Sequence, residues 1–205
     1  SDMLDRASEQ IDQEFADQPQ LQAELRSTLG DTWAGIGLFD QALQEYQVAL
    51  GIQESLHGED SKEALLSRGR LGRAFNLLGK YEMAIDAFSQ QIQGMSQEFD
   101  PDDPDLLQAR IDLAGVYLHL GRFPEAKVLL IEVIDVCSRN SAGPSKIGLA
   151  AKVSMGRLEG ARGDKSAGED WFVDALADLD QLEQTDFVLK QNIQYELAIS
   201  KARQQ

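Results

Sequence analysis

Chemistry-bearing residues are scarce in this chain. Cys137 is its single cysteine, and His57 and His119 are its only histidines among 205 residues. One cysteine excludes an internal disulfide, and two distant histidines with no cysteine pair at ligand spacing exclude the usual zinc patterns. Basic residues are in short supply: 19 lysines and arginines face 35 aspartates and glutamates, a net charge of −16. That surplus disfavours direct binding to duplex nucleic acid or an anionic membrane. No apolar run approaches the roughly 20 residues that span a bilayer, so membrane insertion by this segment is not expected. No signal peptide is visible, and no stretch carries a strand pattern.

The remaining chemistry is thin. Gly35-x-Gly37 follows a helical run rather than a strand, and Gly143-Pro144-Ser145-Lys146 lacks phosphate-loop spacing. Asp102 and Asp103 read as a helix cap rather than an acid–base pair. Cys137 falls on a face with Ile131 and Ile134, where a buried, inert thiol is expected. No catalytic residue, metal ligand or cofactor is assigned, and the segment reads as not an enzyme.

What the chain does have is a period. Gly37, Gly79, Gly121 and Gly163 are each separated by 42 residues. Each follows one helical run and precedes another, where a left-handed C-cap belongs. Other columns share the interval. Eight residues before the glycine stand Leu29, Leu71, Leu113 and Met155, followed by the small Gly30, Gly72, Ala114 and Gly156. Four before it stand Trp33, Phe75, Tyr117 and Glu159. Five after it stand Ala42, Ala84, Ala126 and Gly168, and nine after it Tyr46, Phe88, Leu130 and Phe172. Large residues at i and i+4 make an apolar stripe, and the small columns let two helices approach closely.

The same interval sets the boundaries. Residues 3–19 form an N-terminal half-repeat, a helix stopped at Asp17-Gln18-Pro19. Full repeats follow at 20–58, 61–100, 103–142 and 145–184, and a capping helix at 185–205, with Leu197 in the Met155 column. Asp60-Ser61-Lys62-Glu63 gives a capping box. Asp103 caps a helix that Pro104 opens, Pro124 opens another, and 140–145 is a loop. No linker divides the chain, which reads as one domain over 1–205.

These columns resemble the tetratricopeptide repeat: Leu29-Gly30-x-x-Trp33 with Ala42-x-x-x-Tyr46, Leu71-Gly72-x-x-Phe75 with Ala84-x-x-x-Phe88, and Leu113-Ala114-x-x-Tyr117 with Ala126-x-x-x-Leu130. The fourth unit, Met155-Gly156-x-x-Glu159 with Gly168-x-x-x-Phe172, is degenerate but in register. The usual period is about 34 residues, so the longer one here places the extra turns in the second helix or its following link. That spacing is similar to the kinesin-light-chain type. The resemblance implies an all-α fold, an α-solenoid of antiparallel hairpins wound as a right-handed superhelix. It also implies a concave groove lined by the first helices. Carried onto this chain, the groove takes Arg73, Asn76, Gly115, Leu118, His119 and Arg157, and a protein or peptide partner rich in acidic and apolar residues. The alternative is that Arg73 and Arg157 pair with neighbouring acids. A two-carboxylate clamp for chaperone tails is not expected, because Ser27, Asp31, Gln108 and Asp112 occupy its positions.

The opening, Met3-Leu4-Asp5-Arg6-Ala7-Ser8-Glu9-Gln10-Ile11-Asp12 with Ala16-Asp17-Gln18-Pro19 and Leu25-Arg26-Ser27-Thr28-Leu29-Gly30, is similar to the start of the repeat array in bacterial serine/threonine protein kinases and winged-helix transcriptional regulators. It implies a regulatory scaffold within a larger signalling protein, most simply cytoplasmic, or periplasmic if the parent is membrane-anchored. The start at Ser1-Asp2, in mid-repeat, reads as an excised fragment. The second reading is homo-oligomerisation, with Trp171 and Phe172 as a dimer surface, or a sensor domain.

Overall fold

The computed structural model describes residues 2–139, 143–182 and 187–202, and among them contains ten α-helices and no strand. The chain divides into two compact units, residues 1–99 and 100–205. The first holds α1 (Asp2–Glu14), α2 (Pro19–Gly35), α3 (Phe39–His57), α4 (Lys62–Leu77) and α5 (Tyr81–Glu98). The second holds α6 (Pro104–His119), α7 (Phe123–Arg139), α8 (Lys146–Arg162), α9 (Lys165–Leu179) and α10 (Phe187–Ala202). Hairpins form between α2 and α3, α4 and α5, α6 and α7, and α8 and α9. The second helices run 19, 18, 17 and 15 residues, so the turns added by the long period lie partly there and taper along the chain. Residues 140–142 of the expected loop, and positions 185, 186 and 203–205 of the expected last helix, lie outside the described residues.

One turn is used four times. Gly37, Gly79, Gly121 and Gly163 have φ of +81°, +70°, +70° and +95°. The Gly37 N–H donates to Ala34 O at 3.0 Å and the Leu38 N–H to Trp33 O at 2.9 Å. The same two bonds recur as Gly79 to Asn76 and Lys80 to Phe75, Gly121 to Leu118 and Arg122 to Tyr117, and Gly163 to Gly160 and Asp164 to Glu159. Together they satisfy the last carbonyls of each first helix in a six-to-one, five-to-two pattern, and a Cβ in this left-handed conformation would cost about 1–2 kcal/mol. Helix starts are closed by side chains. Asp103 Oδ1 accepts from the N–H groups of Asp105 and Leu106 at 2.9 and 3.3 Å. Ser145 Oγ accepts from Gly148 N–H at 3.0 Å. Before α4 the cap is Ser61, whose Oγ accepts from Ala64 N–H at 3.3 Å. The cap thus sits one residue later than a box from Asp60 to Glu63 places it.

Within each hairpin the small column and the ring column meet. A Cβ on Gly30 would lie 2.5 Å from Tyr46 Cε1, one on Gly72 2.8 Å from Phe88 Cε1, and one on Gly156 2.7 Å from Phe172 Cε1. The third hairpin has Ala114 in place of glycine and Leu130 in place of the ring, both in its buried core. Glycine faces an aromatic and alanine faces leucine, because the two columns share one fixed volume. Gly72→Ala is therefore expected to cost up to about 2 kcal/mol, since overpacking of about 1–3 kcal/mol is offset by a helix-propensity gain of roughly 1 kcal/mol. Adding Phe88→Leu should recover at least about 1 kcal/mol of coupling in a double-mutant cycle read by urea denaturation. Additive effects would overturn the volume-sharing account.

Two local expectations differ from the structure. Cys137 is half-buried rather than sealed. Ile134 packs on the core while Ile131 is 41% exposed, so the three do not share one buried face. Trp171 and Phe172 do not form a surface pair either. Phe172 is 3% exposed and Trp171 packs against the α6–α8 core, because successive helical residues point about 100° apart and only one side of α9 lies on α8.

Candidate functional site

The assigned groove residues fall in both units. In the first, Arg73 is an exposed residue of α4, and Asn76 one turn on is half-buried. The Asn76 Oδ1 is enclosed without a hydrogen-bond partner. The neighbouring face is polar. Tyr46 Oη donates to Asp31 at 2.7 Å, and Asp31 faces Arg70 Nε at 4.0 Å. Burial, then the Asp31 carboxylate, pushes the Tyr46 phenol well up, with Arg73 and Arg70 pulling the other way. Tyr46 is thus a neutral donor that orients Asp31 beside the arginines.

In the second unit, Gly115 on α6 is half-buried with open space where a side chain would stand. Leu118 packs on the α6–α8 core, and His119 is exposed in the last turn of α6. Gln108 Nε2 donates to Asp112 at 2.9 Å, so these two satisfy each other. Arg157 on α8 is half-exposed, and its Nε donates to Glu196 on α10 at 2.9 Å. Beside it lies an open groove of about 290 Å³, lined by Gly156, Arg157, Gly160, Ala161, Lys165 and Phe172, with Glu196, Ile199 and Ser200 along the α10 side. Glycines at 156 and 160 make this depression, and buried Phe172 forms its floor. Of the assigned residues, Arg157 therefore lines a formed groove and already binds a carboxylate, while Gly115, Leu118 and His119 stand on α6.

A basic column went unread. Arg26, Arg68, Arg110 and Lys152 lie 42 residues apart, one per first helix. Each is ion-paired with a neighbouring helix. Arg26, 4% exposed, pairs with buried Glu45 and with Asp12. Arg68 meets Glu54 at 2.5 Å, and Arg110 meets Glu132 at 3.7 Å. Lys152 meets Asp174 and Asp178 at 3.0 and 2.6 Å. Burial alone would lower the Lys152 ammonium, but Asp178 and Asp174 outweigh it and hold it above its usual range. The constant interval was the signal that exposes this column. Glu159, in the aromatic column, is likewise ionic: it is 4% exposed and held by Lys127 at 2.6 Å and Arg162 at 2.9 Å. Charge pairing here takes the place that ring burial has in the other repeats.

Residues 63–139 match the tetratricopeptide repeat family. No curated protein matches the chain by sequence. In three dimensions the chain is similar to BtubC (BKLC) from P. vanneervenii, with a TM-score of 0.80 at 18% identity, over 97% of this chain and 80% of that one. It is similar to a kinesin-light-chain protein of Podosopora anserina with nearly identical TPR-like repeats, with a TM-score of 0.73 at 19% identity, over 89% and 86%. It is also similar to a Rap protein complexed with competence and sporulation factor, with a TM-score of 0.76 at 14% identity. There the match covers 89% of this chain and 49% of that one, so this chain spans about half its length. At such identities the likeness shows the fold, an all-α array of tetratricopeptide-type helical repeats. Repeats of this type generally mediate protein–protein interaction and are generally not catalytic.

Proposed function

We propose that this chain is a protein–protein interaction module, a regulatory scaffold segment of a larger bacterial signalling protein, that binds an extended peptide carrying acidic and apolar residues. The observation that carries the reading is the α8 groove. Arg157 lines it with Phe172 and two glycines; Arg157 pairs with the chain's own Glu196 at 2.9 Å, the neighbouring acid foreseen as the alternative, so a peptide carboxylate would take Glu196's place. A guanidinium matches a carboxylate in charge and geometry, and the depression fits an apolar side chain beside it. Arg73 and Asn76 give the first unit a second cationic face with an unpartnered amide acceptor. The Rap neighbour, complexed with a factor, supports ligand capture by this architecture. We read 1–205 as one functional array, because the interval from Gly79 to Gly121 equals the others.

The test is selection from a randomised peptide library, followed by calorimetry of the selected peptide. Arg157→Ala and Arg73→Ala together are expected to weaken it by well over tenfold, about 1.4 kcal/mol or more. Enriched peptides without acidic residues, or an affinity unchanged in the double variant, would overturn the reading.

A further inference from the structure

Helix α10 brings to the Arg157 groove the same chemistry that the groove asks of a ligand. Glu196, Ile199 and Ser200 line its α10 side. Glu196 and Ile199 stand three residues apart, so they share one face of the helix. That face offers a carboxylate to Arg157 and an apolar side chain to the same depression. Ile199 is half-buried there.

The Glu196 contact is built to exchange. Arg157 serves it through Nε, at 2.9 Å. Among the described residues, neither terminal amino group of Arg157 is paired, and Glu196 has no second donor. A guanidinium and a carboxylate can form two parallel hydrogen bonds, so the internal contact uses half of what the pair can make. The two side chains are 51% and 31% exposed, which lets water solvate both as they part. Glu159 on the same helix as Arg157 is the contrast. Its side chain is 6% exposed, and Lys127 at 2.6 Å and Arg162 at 2.9 Å both hold it.

Nor does α10 depend on this bond for its place. Ile193, 1% exposed, sits in the buried cluster with Phe172 and Leu179, and Leu189 and Leu197 pack against that cluster. Lys190 Nζ also meets Asp180 at 2.6 Å. Glu196 can therefore leave Arg157 by a side-chain rotation while α10 stays seated.

We infer that α10 acts as a ligand in cis: Glu196 and Ile199 fill the groove as an acidic and apolar stretch of a partner would, and they set its affinity by competing for Arg157. The inference rests on the peptide-binding reading of this groove and adds its regulation. A partner meets only the fraction of molecules whose groove is vacated, so its apparent affinity falls by that fraction. An exposed ion pair contributes little, so the competition tunes the groove rather than closing it.

Selection from a randomised peptide library on the wild-type chain and on Glu196→Gln, with calorimetry of each enriched peptide on both, tests it. Glutamine keeps the size of the side chain and removes its charge, and the helical spectrum should be unchanged. The variant is expected to bind the enriched acidic peptide about two- to fivefold more tightly, the worth of one exposed ion pair. The gain should vanish in an Arg157→Ala background. Asp170→Asn makes the same charge change at an exposed position of α9 outside the groove, and should give no gain. If Arg157→Ala weakens the peptide but Glu196→Gln does not tighten it, the inference is overturned and the binding reading stands. A gain that survives Arg157→Ala, or that Asp170→Asn reproduces, also overturns it, because it would report only the net charge of −16. Failure of both chains to enrich acidic peptides would overturn the groove reading and this inference together.

Discussion

Arg26→Ala is expected to lower the unfolding free energy of the first unit by about 3–5 kcal/mol, the cost of removing one member of a buried ion pair. The guanidinium is 4% exposed, and Glu45 beside it 6%. It holds α1, α2 and α3 together: one amino group bonds Glu45 and Ser8 Oγ, the other Asp12. Ser8 also donates to Glu45 at 2.7 Å, so the variant leaves that carboxylate with a single weak donor in a desolvated place. Replacing both charges, as Arg26→Met with Glu45→Leu, should restore most of the loss, because two apolar chains of similar volume avoid the desolvation cost. Urea denaturation followed by helical signal reads both. A single-variant loss below about 1 kcal/mol would mean the pair is solvated in solution. The Asp12 carboxyl adds a pH signature. The Arg26 hydrogen bond holds it below its ordinary value, against a lesser opposing effect of burial. A lowered folded-state pKa contributes stability above the unfolded value of about 3.9 and loses it as pH falls through the folded value. This acid-sensitive share is small, since Asp12 is 58% exposed, and it should be missing from Arg26→Ala.

Gly168→Leu is expected to cost about 3 kcal/mol or more, at or beyond the upper end for overpacking. A Cβ there would stand 2.8 Å from Gly156 O and 3.2 Å from Gly160 N. Both are main-chain atoms of α8 and cannot rotate away, unlike the ring opposite Gly72. The other hairpins carry Ala42, Ala84 and Ala126 at this position, each 0% exposed, so α8 and α9 approach more closely than their counterparts. Gly168→Ala should already be destabilising. Because Phe172 lies one turn further along α9 and floors the α8 groove, either variant should also weaken a peptide selected on the wild-type chain. Stability within about 0.5 kcal/mol of wild type for Gly168→Leu would show that α9 can shift freely on α8.

The hairpins were legible because each is written by local chemistry repeated at one interval. A positive-φ glycine, a small residue under a ring and a capping side chain act within one turn or between adjacent helices. Their spacing along the chain is therefore their spacing in the fold. The same logic placed the two helices of a hairpin before and after each of the four glycines. It also shows why one local reading missed: Ser61 and Asp60 are both good caps, and only the backbone turn preceding α4 chooses between them.

The groove was less legible. Arg157 lies on a first helix, but its carboxylate partner Glu196 comes from α10, a helix whose position follows from packing rather than from spacing. The basic column makes the same point. Arg26, Arg68, Arg110 and Lys152 recur every 42 residues, but their acids do so only in part: Glu132 and Asp174 share one column, while Glu45 comes from another and Glu54 precedes its partner. The sequence by itself determined the repeat, its helices, their caps and the tight crossings, since these depend on neighbours a few residues apart or one period away. The tertiary structure alone decided which charges are buried and paired, and where a depression opens beside Arg157. Those outcomes depend on how whole helices pack, and long side chains reach whichever neighbour that packing supplies.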